Sequence, residues 1–277
     1  MSLHLHEDSK KHLEQAAKNK RQALLISGPA GSDLLSGAQL FASTLGATTL
    51  ETKPIDRTSG KIDMEKGKIL VPLIRDLYQS TRAISVKPTV VIIHHADRMT
   101  IQAQNAFLKL LEEPRDNLHF ILLSSDDNKL LPTVLSRLSV IKLKPISTEQ
   151  SNALLDQLKL DDPKKRQQAI FMANGLPLVL EKLATDDKYF QSEVGVMQAA
   201  KLLLTQDSYE GLVAVGKFKE DRDGALELID KALLIAKKSL ANQPSEGMVA
   251  KIDKLLSTKE NLKSNANVRL ALMGAIL

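Results

Sequence analysis

Ala23-Leu24-Leu25-Ile26-Ser27 runs straight into Gly28-Pro29-Ala30-Gly31-Ser32-Asp33-Leu34-Leu35, and an amphipathic stretch continues to Leu45. An apolar β-type run, a glycine-rich turn and a helical pattern in that order form the context in which a phosphate-binding loop is built. A working loop reads G-x-x-x-x-G-K-[ST], because backbone N–H groups cradle the phosphates, the lysine reaches the β and γ phosphates, and the hydroxyl binds Mg²⁺. Asp33, Leu34 and Leu35 stand at the last three positions. Leu34 offers neither charge nor donor, Leu35 cannot ligate a cation, and Asp33 would set a carboxylate close to polyphosphate, where like charges repel. The expectation is a loop with the shape of a nucleotide site and no bound nucleotide.

Outward from the loop, β-rich apolar runs at 23–27, 47–51, 89–94, 118–124 and 139–143 alternate with helical patterns at 34–46, 68–82, 101–112 and 130–137. Alternation of that kind implies parallel βαβ units with helices on both faces of one sheet. In the third helical pattern Ala103, Phe107, Leu108, Leu110 and Leu111 supply the apolar face, and Pro114 closes the helix because proline cannot continue the ladder. Glu112 and Glu113 therefore stand at a helix end and not in a catalytic dyad. The run Thr89-Val90-Val91-Ile92-Ile93 reads as a buried parallel strand, yet the acidic pair that would hold Mg²⁺ and polarise water at its end is His94-His95. His94, His95 and Asp97 could be taken for metal ligands, but adjacent strand residues point to opposite faces and no further ligand spacing supports such a site. No metal and no cofactor are expected.

These residues carry a family resemblance. Gly28-x-x-Gly31, Ile92-Ile93-His94-His95-Ala96-Asp97-Arg98-Met99-Thr100, Asn105-Ala106-Phe107-Leu108-Lys109-Leu110-Leu111-Glu112-Glu113-Pro114 and Leu131-Pro132-Thr133-Val134-Leu135-Ser136-Arg137 together closely resemble the bacterial DNA polymerase III clamp-loader family. The resemblance is strong over residues 21–145 and is nearest to members whose ATP site is degenerate. It implies an α/β fold with a doubly wound parallel-sheet AAA+ base over 1–146, a small helical lid over 147–185 and an all-α collar over 186–277 that drives oligomerisation. It also implies that Arg137, beside Ser136, acts as an arginine finger on the ATP of a neighbouring subunit. The implied partners are the gamma/tau and delta subunits and, through them, the sliding clamp and primer–template DNA. Two departures stand out. Leu138 replaces the cysteine usual after Ser-Arg and keeps an apolar, burial-prone side chain, and Thr52–Lys68 occupies the place of a four-cysteine zinc module in a chain with no cysteine.

After Pro145 the patterns are helical only, opened by Ser147-Thr148-Glu149-Gln150, whose first and fourth residues fit a capping box. In related ATPases a lid arginine reads the γ-phosphate after an Ala-x-Gly turn. Here Ala173-Asn174-Gly175 is followed by Leu176-Pro177-Leu178. From Asp186 amphipathic helices are expected at 190–205, 208–218, 223–241, 246–257 and 266–277. Leu226, Ile229, Leu233, Ala236 and Leu240 recur at helical spacing and should line a core, while apolar residues nearly encircle the last helix and imply burial on several sides.

Composition agrees. The chain has 277 residues, 43% apolar and 26% charged, which allows two or three domains with sizeable cores. No segment approaches the roughly 18 apolar residues of a membrane span, and Met1–Asp8 lacks the charged-then-apolar pattern of a signal peptide, so a cytoplasmic home is expected. With a net charge of only +5, the basic patch Lys10-Lys11 and Lys18-Asn19-Lys20-Arg21 reads as a solvated helix face that could also track phosphate. Two other readings stay open: an autonomous ATPase with an atypical loop, such as a helicase loader or repair motor, and a DNA-binding scaffold that acts alone.

Overall fold

The structure is a computed structural model, and it describes residues 4–81, 87–113, 115–205, 208–264 and 266–276. In chain order the elements are α1 (Glu7–Lys18), β1 (Ala23–Ser27), α2 (Leu34–Leu45), β2 (Thr48–Thr52), α3 (Val71–Ser80), β3 (Thr89–Ile93), α4 (Ile101–Glu112), β4 (Leu118–Ser124), α5 (Pro132–Leu135) and β5 (Ser139–Lys142). Helices follow: α6 (Thr148–Gln157), α7 (Pro163–Ala173), α8 (Pro177–Thr185), α9 (Asp187–Leu203), α10 (Ser208–Gly216), α11 (Arg222–Asn242), α12 (Glu246–Lys263) and α13 (Val268–Ile276). The chain divides into two compact units, one ending at Glu181 and one beginning at Lys182.

The first unit is built on a parallel sheet of order β2-β3-β4-β1-β5. Alternation along each strand feeds two cores. Leu25, Val91, Ile93, Phe120 and Leu122 meet Ile74 and Leu77 of α3 and Ala103, Phe107 and Leu110 of α4 on one face. Leu24, Ile26, Val90, Ile92, Ile121 and Leu123 meet Leu13, Ala16 and Ala17 of α1 and Ala38, Phe41 and Ala42 of α2 on the other. The central strand β4 is buried along its whole length, as a parallel strand covered on both faces must be. Burying one of these large side chains contributes about 1.5–3 kcal/mol, and Phe107 and Phe120 add an edge-on ring contact at 5.3 Å.

Several boundaries shift for local reasons. The helix expected from 68 begins at Val71, because Ile69 is held extended by Ile69 N–H to Arg98 O and Thr100 N–H to Ile69 O, and Pro72 suits a first helical turn; Arg82, its expected end, lies outside the described residues. The helix expected over 130–137 shrinks to α5, since the residue before a proline is driven extended and Leu131 has ψ 141°. Ser147 and Gln150 form the capping box at α6. Pro114, expected to close α4, lies outside the described residues; α4 ends at Glu112. Thr52–Lys68 forms a loop with isolated bridges from Ile55 to Ile62 and Lys68.

In the second unit α11 carries the core, but the buried face is Ala225, Leu228, Ile229, Ala232, Leu233 and Ala236. Leu226 only packs against its edge and Leu240 is half-buried. The last helix runs Val268–Ile276, and its expected burial on several sides is not met within the chain: Leu272 is buried, whereas Leu270 is 69% exposed.

Candidate functional site

The two ends of the sheet carry the residues of interest. Gly28–Leu35 follows the C-terminal end of β1, and Gly28 N–H donates to Ser124 O at the same end of β4 at 3.3 Å. Gly31 has φ +94°, a conformation for which glycine has no steric cost. Its carbonyl accepts the N–H of Leu178, the second residue of α8, at 3.1 Å. A Cβ added at Gly31 would stand 2.5 Å from Val179 Cγ2 and 3.5 Å from Leu176 Cβ, so apolar side chains around the start of α8 lie directly on the loop. The turn before α8 is equally tight: Gly175 (φ +78°) lies against Pro145 and Ile146, and Ile146 N–H donates to Gly175 O at 2.9 Å.

Asp33 is the N-cap of α2. Its Oδ1 accepts the Ser36 N–H at 3.0 Å and its Oδ2 accepts the Ser36 hydroxyl at 2.5 Å. A helix N-terminus attracts an anion through its free N–H groups and its positive dipole end; here the chain supplies that anion itself. Leu34 and Leu35 turn into the core on the α1/α2 face. The loop therefore presents to a phosphate no cation, no hydroxyl at the eighth position and a carboxylate already seated at the helix end.

His94 and His95 lie past the end of β3, not in it. His94 N–H donates to Thr52 O, its Nε2 lies 3.2 Å from Glu51 Oε2, and His95 takes a left-handed conformation at φ 47°. Burial holds both imidazoles below their ordinary range, against the pull of Glu51 on His94 and with further help from Arg98 at His95. Glu51 in turn is held low by Lys53, 2.8 Å away. Among the described residues no group of three or more His, Asp or Glu is placed to hold a metal ion.

Arg137 is at the opposite rim. It precedes β5, whose first residue Ser139 pairs with Leu24 at the start of β1. Four strand residues at roughly 3.3 Å each separate that level from Gly28, about 13 Å, so Arg137 faces away from its own glycine loop. Its Nη1 donates to Thr133 O at 3.0 Å, its Nη2 pairs with Glu112 Oε1 at 2.8 Å, and it remains 40% exposed. Ser136 donates to Thr133 O at 3.1 Å and Leu138 is buried.

One residue that fixes the segment leading to Arg137 was not foreseen. Gln104, 1% exposed on α4, accepts Leu131 N–H at 2.7 Å and donates to Met99 O at 3.3 Å and Lys129 O at 3.0 Å, tying the entry to α5 onto α4. The signal available in the sequence was an amide on an otherwise apolar helical face.

With this geometry in place, the family model described as DNA polymerase III, delta subunit matches residues 5–147. The chain belongs to that family. It is 26% identical over 199 residues to the DNA polymerase III subunit delta' of Bacillus subtilis (strain 168), covering 65% of this chain and 59% of that protein. It is 26% identical over 202 residues to a replication factor C small subunit of Methanococcus maripaludis, covering 72% and 58%, and 29% identical over 180 residues to Bacillus subtilis DNA polymerase III subunit tau, covering 55% and 31%. The matches thus span less than two thirds of these relatives' own length. Among solved structures, a gamma subunit-related protein of Thermotoga maritima superposes with a TM-score of 0.52 at 21% identity over 97% of both chains, and the FIGL-1 AAA domain with 0.50 at 16% identity over 71% and 72%. These likenesses establish for the delta-subunit family member described here an α/β AAA+ fold with a helical C-terminal region. No described helix is long and apolar enough to cross a membrane.

Proposed function

We propose that this chain is a clamp-loader subunit that does not turn over ATP itself and lends Arg137 to the nucleotide of a neighbouring subunit. The observation that carries the reading is the placement of Arg137 and the glycine loop at opposite rims of one sheet: a finger that cannot reach its own loop has work only in trans. A guanidinium suits that work because it stays charged and offers a planar fork of donors to phosphate oxygens. The seated Asp33 carboxylate, the leucines at positions 34 and 35, the α8 residues over Gly31 and the uncharged histidines beyond β3 all support an empty loop.

On this reading residues 1–146 are the base, 147–185 the lid and 186–277 a collar that joins gamma/tau and delta subunits in the cytoplasm, with the sliding clamp and primer–template DNA reached through the complex. The exposed Leu270, Val213 and Leu256 on the second unit favour an apolar partner there. The test has two parts. Equilibrium titration of the isolated chain with labelled ATP and ADP should show no saturable binding, and micromolar binding with Mg²⁺-dependent turnover would favour an autonomous ATPase. A loader rebuilt with Arg137→Ala, checked for equal assembly, should lose about 10³–10⁵ in rate at the neighbouring site, about 4–7 kcal/mol of barrier. Unchanged DNA-stimulated ATPase and clamp loading would leave Arg137 a structural residue.

A further inference from the structure

The strand order leaves β5 at one edge of the sheet, paired among the described residues only with β1. Leu143 N–H donates to Ser27 O at 2.8 Å. In a parallel ladder alternate residues face the same neighbour, so the backbone of Ile141 and Leu143 faces β1, and the N–H and C=O groups of Val140 and Lys142 face outward. The next outward amide, Lys144 N–H, is taken by the buried Ser9 hydroxyl of α1 at 3.0 Å. Between that point and Arg137 the edge borders a groove of about 630 Å³ between α1 and β5, and a smaller hollow of about 190 Å³ beside Arg137. Arg21 and Ser139 line both.

The groove is basic, and among the described residues no Asp or Glu lines it or the smaller hollow. Lys144 is neutralised by Asp8 at 2.7 Å, while Lys142 reaches Asp127 only at 3.9 Å. Arg21 has an exposed guanidinium with no partner among the described residues, on a backbone fixed at both sides: its N–H donates to Ala16 O and its carbonyl accepts His119 Nδ1 at 2.8 Å. Val140, between these charges, is 47% exposed. The basic run at Lys18–Arg21 thus ends in this groove, with Asn19 and Arg21 on its wall.

We propose that the open edge of β5 is a docking site for an extended acidic segment of a partner protein, which adds to the sheet as a further strand. Exposed strand edges bind extended peptides through main-chain hydrogen bonds, with side chains supplying specificity. A second copy of this edge would bring its own Arg21 and Lys142 against the first pair, which like-charge repulsion opposes. A nucleic acid would find, among the described residues lining the groove between α1 and β5, no Phe, Tyr or Trp on which to stack a base. An acidic strand satisfies both the unpaired backbone and the charge.

The test uses the full chain and a fluorescein-labelled peptide of Val-Glu repeats in an anisotropy titration. Saturable binding is expected, with slowed amide exchange at Val140 and Lys142. Val140→Pro removes one outward N–H at an edge position that tolerates proline and should weaken binding about tenfold. Arg21→Glu combined with Lys142→Glu, which leaves the strand backbone unchanged, should weaken it by at least as much and shift preference toward a Val-Lys peptide. No saturable binding of the Val-Glu peptide up to roughly 1 mM, binding indifferent to both variants, or equal binding of a Val-Lys peptide or a thymidine oligonucleotide would overturn the proposal.

Discussion

The two rims of the sheet are made from the same repeating unit, a parallel strand followed by a turn and a helix, yet they differ in what they leave free. At the glycine-loop rim several donors are engaged within the chain: Asp33 takes the helix N-terminus, the Gly28 and Ser32 amides donate to Ser124 O and Pro29 O, and His94 is turned toward Glu51. At the opposite rim Arg137 is half-exposed and held by one exposed carboxylate, Glu112.

The largest effect that can break this contrast lies at the Arg137 rim. Arg137→Lys keeps the charge without the planar fork and should still lose most of the finger's about 10³–10⁵-fold contribution in a rebuilt loader. Glu112→Gln should leave loading within about twofold, since an exposed ion pair contributes under about 1 kcal/mol. If the two variants behaved alike in steady-state ATPase, the ion pair and not the free guanidinium would be the functional unit.

At the loop rim, Gly31→Ala combines a left-handed backbone with a Cβ 2.5 Å from Val179 Cγ2 and should destabilise the first unit by about 2–4 kcal/mol. Adding Val179→Ala should recover the steric part only, as read by denaturant midpoints. A Gly31→Ala chain as stable as the parent would mean that α8 does not rest on the loop.

Gln104→Leu tests how firmly α5 is fixed. It strands Leu131 N–H and two carbonyls in a buried site and should cost about 2–3 kcal/mol. If loading by an assembled complex fell further than stability predicts, Gln104 would be a positioning residue for Arg137.

The smallest effect is a pH slope. His94 and His95 have folded pKa values below the ordinary 6.5, so as pH falls past 6.5 the unfolded chain binds protons first and stability declines toward the folded values. Melting curves at pH 7.5 and 5.5 should show that loss, and His94→Gln should reduce it. A flat profile would mean that these rings are already solvated.

Much of this was legible in the chain. The alternation of apolar runs and amphipathic patterns gives parallel βαβ units, the glycine spacing gives the loop, Ser147 and Gln150 give their capping box, and Asp33-Leu34-Leu35 removes the lysine and hydroxyl, because periodicity, capping and loop chemistry act within one or two turns of chain. Asp33 was read only as repelling phosphate, although the helical pattern from Leu34 already left it at the N-cap of α2. Other features depend on groups far apart in sequence. Gln104 as a tether, α8 resting on Gly31, and Glu112 beside Arg137 exist only once helices are packed on the sheet. Strand order is the clearest case: β5 follows four strands in sequence, and nothing in its four residues says that it ends up beside β1 with one edge open. Which strands become neighbours is decided by how the whole set of helices buries its apolar faces, and it is that tertiary choice which sends Arg137 to the rim away from its own loop.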